Sequence, residues 1–298
     1  MPISARTSPR HWLLFIALAV IWGSSFYWQK FALRELGPST VVALRFSIAF
    51  AIMLVVMAVR KLSFPRDART WLGFAALSVV YSSVPVFLTA WAGNRIDSTL
   101  GSVLNATSPL FTVVFATLVF HDEAATRAKT IGTLIGFAGM LVIVLLGAAD
   151  AGQTANDPLG VLAQAGTSVC YALAPILVRK LLKQQPVVVQ SAALTGLAGA
   201  TMWVAAVLTE TVALPSLPIT WVSILWLGCL ASATANLLYF SLLKLWGSTR
   251  TSLVSYVIPI VGVLMGVLLL GERVGTAFVA GALLILVGVW IANRAMPS

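Results

Sequence analysis

Residues 269–288, LLGERVGTAFVAGALLILVG, repeat a pattern that the chain also carries at residues 120–139, FHDEAATRAKTIGTLIGFAG. In both segments one glutamate is followed by two glycines at identical spacings. Upstream of each glutamate, at nearly equal distances, a proline lies inside an apolar run. The matched residues are Glu123, Gly132, Gly139 and Pro109 in the first copy, and Glu272, Gly281, Gly288 and Pro259 in the second. The chain is therefore interpreted as an internal duplication.

The composition places both copies in a membrane. Hydrophobic residues make up 59% of the 298 residues and charged residues make up 9%, against roughly 45–50% and about 25% in soluble domains. No polar stretch is long enough to hold a soluble domain beside a single anchor. A duplicated, membrane-embedded chain is typical of secondary transporters, which are built from two related halves around a central site.

Charge clusters and Pro or Gly breaks divide the sequence into ten predicted spanning helices, since each crossing needs about 20 mainly apolar residues. Helices are required because lipid offers no partner for backbone N–H and C=O groups. The apolar run after Arg6 and Arg10 has no small-residue cleavage site, so we interpret it as an uncleaved first span. The predicted spans are 11–31, 38–59, 70–92, 98–120, 127–147, 158–181, 186–208, 219–243, 248–270 and 275–292.

The distribution of Lys and Arg predicts the orientation of these spans. With a cytoplasmic N-terminus, fourteen of the nineteen basic residues lie on the cytoplasmic side, four lie on the far side, and Arg45 lies within a span. Both termini are then cytoplasmic. Residues 1–149 and 150–298 each contain five spans, an odd number, so the second half enters from the opposite side. We expect an all-α polytopic membrane protein of ten transmembrane helices, arranged as two inverted five-helix repeats around a central cavity.

Other function classes are disfavoured by what the sequence lacks. The net charge of +10 comes from scattered basic residues that form no aromatic-interleaved patch, so no nucleic-acid partner is expected. No G-x-x-x-x-G-K-[ST] loop and no H-E-x-x-H motif occur. Cys170 and Cys229 lie in apolar runs without metal or disulfide spacing. We expect no catalytic residue, metal, cofactor or obligate protein partner; the expected partners are a small-molecule substrate and the lipid bilayer.

Several motifs resemble those of the EamA family of the drug/metabolite transporter superfamily. They are Trp22-Gly23-Ser24-Ser25-Phe26 with Lys30, Pro38 with Arg45, and Leu270-Gly271-Glu272-Arg273 followed by Gly281-Ala282-Leu283-Leu284-Ile285 and Gly288. The resemblance covers essentially the whole chain. Within the family the chain is most similar to YddG-type exporters of aromatic and other amino acids. This implies a ten-helix basket with a central cavity, in a bacterial-type inner membrane. His121-Asp122-Glu123 departs from the Leu-Gly-Glu pattern of the second copy.

Polar residues in two predicted spans form stripes that lead toward a proline. They are Ser98, Ser102 and Asn105 before Pro109 in the fourth span, and Ser248, Ser252, Ser255 and Tyr256 before Pro259 in the ninth. Residues three or four apart share one face of a helix. Each proline removes a backbone donor and frees a carbonyl one turn back, so Pro109 and Pro259 are candidate helix-bending positions. Small hydroxyl residues also ease helix packing, and this alternative stays open.

Aromatic residues near the middle of several spans form a second group of candidates. Trp and Tyr favour membrane interfaces, so central positions need another explanation. A cavity lined by rings and hydroxyls suits an amphipathic solute, although aromatic residues also fill ordinary gaps between helices. The candidate substrate-binding residues are Trp22, Ser24, Ser25, Tyr81, Ser82, Ser102, Asn105, Tyr171, Asn236, Tyr239, Ser252, Ser255 and Tyr256.

Arg45 is the one strong charge well inside a span. Facing lipid near the bilayer centre would cost at least about 2.5–3.5 kcal/mol, so the side chain should face protein or water. It could attract a substrate carboxylate, but its shallow position favours an arginine that snorkels to the surface or pins the helix end. Glu123 and Glu272 lie at helix ends, where with the glycine rows they are expected to set helix packing and turn geometry.

The sequence therefore predicts a secondary transporter that exports small organic solutes, with aromatic and other hydrophobic amino acids as the leading substrate class, by alternating access. The nine acidic residues lie in loops or near span ends, which indicates exchange, uniport or coupling through a less obvious group. Efflux of drugs or other metabolites on the same scaffold is an alternative. A passive solute channel is disfavoured because no carboxylate ring or filter-like glycine run occurs. A membrane enzyme is disfavoured because no catalytic constellation assembles.

Overall fold

The computed structural model describes residues 9–119, 127–150, 156–181, 185–251 and 254–294, and most of these residues are helical. No strand occurs in these ranges. The helices are α1 (Pro9–Ala32), α2 (Pro38–Val59), α3 (Ala68–Gly93), α4 (Ser98–Asn105), α5 (Ser108–Val119), α6 (Arg127–Asp150), α7 (Pro158–Leu181), α8 (Val187–Thr209), α9 (218–251), α10 (Val254–Leu270) and α11 (Thr276–Arg294).

The helices have the apolar character that membrane crossing requires. Five segments are both long and apolar enough to span: α1, α2, α3, α8 and Pro218–Tyr239 of α9. Shorter apolar helices are Thr130–Leu146, Pro158–Ala174, Val254–Leu270 and Thr276–Ile291. Large apolar side chains such as Leu72 and Leu268 are 72% and 73% exposed, as expected for contact with lipid. The protein is a multi-pass, all-helical membrane protein, and the number of ten crossings stays a prediction.

The fourth predicted span is divided into α4 and α5, and the break lies just before Pro109. Pro109 has no N–H to bond the carbonyl of Asn105, four residues earlier. The hydroxyl of Ser108 donates to that carbonyl instead, at 2.7 Å. In α10, by contrast, the helix is continuous through Pro259. A second boundary also differs: α9 continues to Thr251, so the start of the ninth span predicted at residue 248 is wrong.

The third and eighth predicted spans, α3 and α9, share two local features. Each contains a π-helical segment, at Ser78–Ser83 in α3 and at Trp226–Thr234 in α9. The hydroxyl of Thr234 donates to the carbonyl of Cys229, five residues earlier, as the wider turn of a π-helix allows. Near its start each helix also carries an indole that donates, at 2.9 Å, to a proline carbonyl six residues earlier: Trp71 to Pro65 and Trp221 to Pro215.

Long-range contacts join equivalent helices of the two halves of the sequence. α2 packs along α8 and α6 packs along α11, while α1 contacts α9 and α10 much as α7 contacts α3 and α4. The α6–α11 contact requires glycine: a Cβ on Gly281 would lie 2.6 Å from the carbonyl oxygen of Gly139, and one on Gly288 would lie 2.5 Å from that of Gly132. The expectation that the glycine rows set helix packing is confirmed. Glu123 lies outside the described residues.

Candidate substrate site

Six side chains from five helices, drawn from both halves of the sequence, meet and form what we term the central cluster. The ring centroids of Tyr81 and Tyr171 are 6.0 Å apart, and those of Trp22 and Tyr239 are 5.5 Å apart. Tyr81 also lies near Tyr239, and Tyr171 lies near Arg45. The cluster comprises Trp22 of α1, Arg45 of α2, Tyr81 of α3, Tyr171 of α7, and Ser232 and Tyr239 of α9.

The two π-helical segments position much of this cluster. Tyr81 belongs to the segment in α3, and Ser232 belongs to the segment in α9. The indole Nε1 of Trp22 donates to the carbonyl of Ala231, also in the α9 segment, at 3.1 Å. π-Helical turns are often found at functional sites. Because α3 and α9 each contribute a residue to the cluster from such a segment, the cluster is the leading candidate site.

Arg45 turns into the protein rather than toward the surface. Its Nε donates to the hydroxyl of Ser232 at 2.6 Å, and Ser232 is buried. Leu54 lies nine residues later, and thus on the opposite face of α2, where it is exposed. The prediction that Arg45 faces protein is confirmed. The favoured interpretation of a snorkelling arginine is wrong, because the partner of the guanidinium lies inside the helix bundle.

The serines predicted on α1 and α3 are engaged by neighbouring groups. Ser24 is buried, and its hydroxyl donates to the carbonyl of Ile21 and accepts from the indole of Trp226, each at 3.0 Å. The hydroxyl of Ser25 donates to the same Ile21 carbonyl at 3.0 Å. Ser82 is buried within the π-helical segment of α3. Ser24 therefore connects α1 with the π-helical segment of α9, which also accepts the hydrogen bond from Trp22.

The predicted polar stripe of α4 lies against α10. Ser102 is fully buried, and its hydroxyl donates to the carbonyl of Thr99 at 2.8 Å. A Cβ added to Gly262 would come within 2.4 Å of the Cβ of Ser102, so the two helices are in close contact there. Asn105 is half-buried at the end of α4.

The remaining candidates lie on α9 and α10. Asn236 is half-buried, three residues before Tyr239. Ser255 and Tyr256 are half-buried on α10, and Tyr256 packs against the apolar core around α4. Ser252 lies outside the described residues. The structure thus joins four predicted aromatic residues in one cluster, and it places Ser102 and Tyr256 in the packing between α4 and α10.

Three carboxylates cap helix N-termini in the opposite half of the chain. Glu272 accepts hydrogen bonds at 2.8 and 2.9 Å from the first two N–H groups of α4. Glu210 accepts at 2.7 and 3.0 Å from two N–H groups in the first turn of α2, and Glu35 bonds the residues just before α9. Negative charge is favourable at these free N–H groups. The expectation that Glu272 sets turn geometry is confirmed, because its carboxylate ties the turn after α10, where Gly271 has φ +68°, to the start of α4.

Two small cavities lie near the loop between α3 and α4. One, of about 60 Å³, lies between α4, α6, α7 and α11, and the other is about 10 Å³. The smaller is lined in part by Lys30, whose Nζ donates to the carbonyl of Ile96 at 2.6 Å. Burial and the neighbouring Glu272 raise the pKa of Asp97 in this loop. Neither volume fits an organic solute.

The central cluster offers recognition groups. Its rings can pack an apolar side chain, its hydroxyls can donate or accept hydrogen bonds, and its guanidinium can bind an anion. Among the described residues, no group of three or more His, Cys, Asp or Glu side chains is placed to hold a metal ion. Cys170 and Cys229 are free and half-buried.

Comparisons with known proteins agree on a family. A model of the EamA-like transporter family matches the chain over residues 10–145 and again over 158–294. An Archaeoglobus fulgidus protein described as an uncharacterized transporter is 26% identical, over 96% of this chain and 99% of its own. YyaM of Bacillus subtilis, described likewise, is 22% identical over 95% and 93%. The Escherichia coli K12 inner membrane transporter YedA is 25% identical over 86% and 81%.

A solved crystal structure shares the fold. It superposes with a TM-score of 0.69 at 20% sequence identity, covering 98% of this chain and 100% of the other. The likeness of fold extends over the whole chain, as does the match to the family model. The chain belongs to the EamA-like transporter family and is a membrane transporter.

Proposed function

We propose that this transporter exports small organic solutes, with aromatic and other hydrophobic amino acids as the substrate class, across a bacterial-type inner membrane. The observation that carries the proposal is the central cluster, which combines ring pairs from α1 with α9 and from α3 with α7 with a guanidinium bonded to a hydroxyl. Rings pack an apolar side chain while polar groups hold the other end of an amphipathic solute. The sequence resemblance to YddG-type exporters supports the same substrate class.

Alternating access between two inverted five-helix halves, residues 1–149 and 150–298, is the proposed mechanism. The pairing of equivalent helices and the matching π-helical segments of α3 and α9 support such a relation. Because the central cluster takes side chains from both halves, a movement of one half against the other would change the side from which it is reached. With both termini cytoplasmic, the caps made by Glu35, Glu210 and Glu272 hold the outer helix ends together.

Counterflow in proteoliposomes tests the substrate class. Vesicles loaded with unlabelled L-phenylalanine should take up labelled L-phenylalanine and L-leucine saturably and faster than protein-free vesicles, with little uptake of L-aspartate. Transport of another metabolite without any amino acid would overturn the substrate class. Flux that rises linearly with concentration would favour a channel.

Reporter accessibility tests the architecture. Tags at both termini should be labelled from the cytoplasmic side of the membrane. A tag in the loop after α8 should be labelled from the outer side. Termini on different sides of the membrane would overturn the ten-helix, inverted-repeat arrangement.

A further inference from the structure

We infer that Arg45 binds the carboxylate of the substrate, so that this transporter selects solutes by their negative group and only then by their apolar body. The inference rests on the proposed transport function and assigns the polar half of the same site. It also reverses the structural role that sequence reasoning favoured for Arg45.

The position of Arg45 favours a ligand site. Arg45 lies within α2, which is long and apolar enough to span a membrane. Its Nε donates to Ser232 of α9 at 2.6 Å, and Tyr171 of α7 lies near it. The guanidinium, on a helix of the first half, therefore meets groups of the second half of the chain. Ionisable groups placed this way inside membrane proteins mark ligand or ion sites more often than structural ones.

No counter-charge for Arg45 occurs among the described residues. The ion pair that they contain, Arg95 with Asp157, lies at the loops. The carboxylates of Glu35, Asp67, Glu210 and Glu272 bind at or just before helix N-termini, and that of Asp97 accepts from Asn156. A cation in a low-dielectric interior without an acidic partner is unfavourable. A ligand carboxylate supplies the partner that the chain does not.

The donor geometry of Arg45 suits a carboxylate. A guanidinium has five N–H donors in a fixed plane, and the Ser232 hydroxyl occupies the one on Nε. This bond fixes the plane of the guanidinium and leaves its Nη1–Nη2 edge for a ligand. That edge forms two parallel hydrogen bonds with a carboxylate, a strong and directional arrangement. The side chain is half-buried, so protein atoms do not wholly enclose it.

The aromatic neighbours complete the match to the ligand. Tyr171 lies near Arg45, and Tyr81 packs edge-on against Tyr171. A carboxylate on Arg45 would therefore place the rest of the solute beside these rings. This arrangement fits a carboxylate with an apolar substituent.

The test uses three competitors of labelled L-phenylalanine counterflow: unlabelled L-phenylalanine, 3-phenylpropionate, which lacks the ammonium, and phenethylamine, which lacks the carboxylate. We expect the first two to compete and phenethylamine to be at least roughly tenfold weaker. Arg45→Gln should raise the KM for L-phenylalanine roughly ten- to hundredfold, and Arg45→Lys should lie between that variant and the native protein. Arg34→Gln, at an exposed arginine stacked on Phe31, is the matched control and should leave the KM unchanged.

Two further measurements keep the outcome decisive. Thermal stabilisation by 3-phenylpropionate reports binding without transport, and it should be lost in Arg45→Gln. Ser232→Ala removes the orienting bond but keeps the charge, so it should raise the KM less than Arg45→Gln and serves if that variant does not fold. Equal competition by phenethylamine, or an unchanged KM in Arg45→Lys and Ser232→Ala, would show that Arg45 does not bind the substrate carboxylate, while the transport function itself would stand. Stabilisation by 3-phenylpropionate without amino acid transport would instead support carboxylate binding by Arg45 and refute the proposed substrate class.

Discussion

The α6–α11 interface and the central cluster both join the two halves of the chain, and they do so with opposite chemistry. Along α6 and α11 the main chains touch, with no space for a methyl group at Gly281 or Gly288. In the central cluster, by contrast, directional hydrogen bonds such as Trp22 to Ala231 and Arg45 to Ser232 link the helices. Close-packed backbones leave no space for a larger side chain, whereas hydrogen bonds between helices can be exchanged one at a time. We therefore expect substitutions in the first region to reduce stability and those in the second to reduce transport.

The largest effect is expected at the glycine interface. Gly281→Leu must push α11 away from α6, because even a Cβ would lie 2.6 Å from the Gly139 carbonyl oxygen. Overpacking of this kind should lower the free energy of unfolding by about 3 kcal/mol. Thermal unfolding in detergent measures the loss. Ala280→Leu, on the exposed face of the same helix, is the control, and similar losses in both variants would contradict the role given to the interface.

A smaller loss of stability is expected where the halves are joined by a charge at a helix end. Glu272→Ala removes two hydrogen bonds from the N-terminus of α4, which should cost about 1–3 kcal/mol. Glu272→Gln keeps one acceptor oxygen and should lose less. Thermal unfolding of both variants measures the difference, and an equal loss would show that the neutral acceptor oxygen kept in Glu272→Gln contributes little.

In the central cluster the expected effect falls on transport. Trp22→Phe keeps a ring beside Tyr239 but removes the donor to the Ala231 carbonyl. Stability should fall by only about 1 kcal/mol, while the counterflow rate should fall roughly fivefold if that bond is needed in the rate-limiting step. Trp12→Phe, at an exposed tryptophan, should change neither. A stability loss as large as that of Gly281→Leu would erase the distinction between the two regions.

The smallest effect is expected from Glu35→Gln, because the Glu35 carboxylate bonds the residues just before α9 at an exposed position. Hydrogen bonds from the side chain and backbone of Ser216 lower the pKa of Glu35 from its usual 4.5 to about 2. Since the pKa is lower in the folded state, the stabilisation is present above about pH 4.5 and is lost as the pH falls toward 2. The Tm difference between native protein and Glu35→Gln should therefore be constant from pH 8 to about 5 and should close below that. A Tm difference that widens below about pH 5 would contradict a lowered pKa of Glu35 in the folded protein.

The sequence alone indicated that the glycine rows of α6 and α11 set helix packing, because glycines at helical spacing allow close approach of main chains. It did not indicate that these two helices pack on each other. The gathering of Trp22, Tyr81, Tyr171 and Tyr239 followed a similar logic, since aromatic residues in mid-span stand where lipid does not favour them. Pro109 likewise marked the break between α4 and α5. In each case a residue type that is unusual for its position gave the signal.

Contacts made by ordinary residue types were missed. Glu210 meets Ser39 across 171 positions of the chain, and nothing near either residue identifies the other. Ser232 is one serine among many, and it acquires its role only because a π-helical segment turns it toward Arg45. Predicting the face of a residue from helical periodicity assumes a regular α-helical turn. It therefore places residues on the wrong face where the turn is wider, as in that π-helical segment. The repeated Pro–Trp pairs at the starts of α3 and α9 were a readable signal that was overlooked.

Trp71 and Trp221 set the depth of the π-helical segments. Indoles prefer the headgroup level of a bilayer, and from each indole to the middle of its segment there are nine or ten residues. That is about 14 Å of helix, close to half of the ~30 Å hydrocarbon core. A bilayer of ordinary thickness would thus hold both segments at one level, whichever face each helix enters. With α3 and α9 entering from opposite faces, as we propose, the two levels would separate in thinner or thicker bilayers, so transport should be fastest at an intermediate lipid chain length.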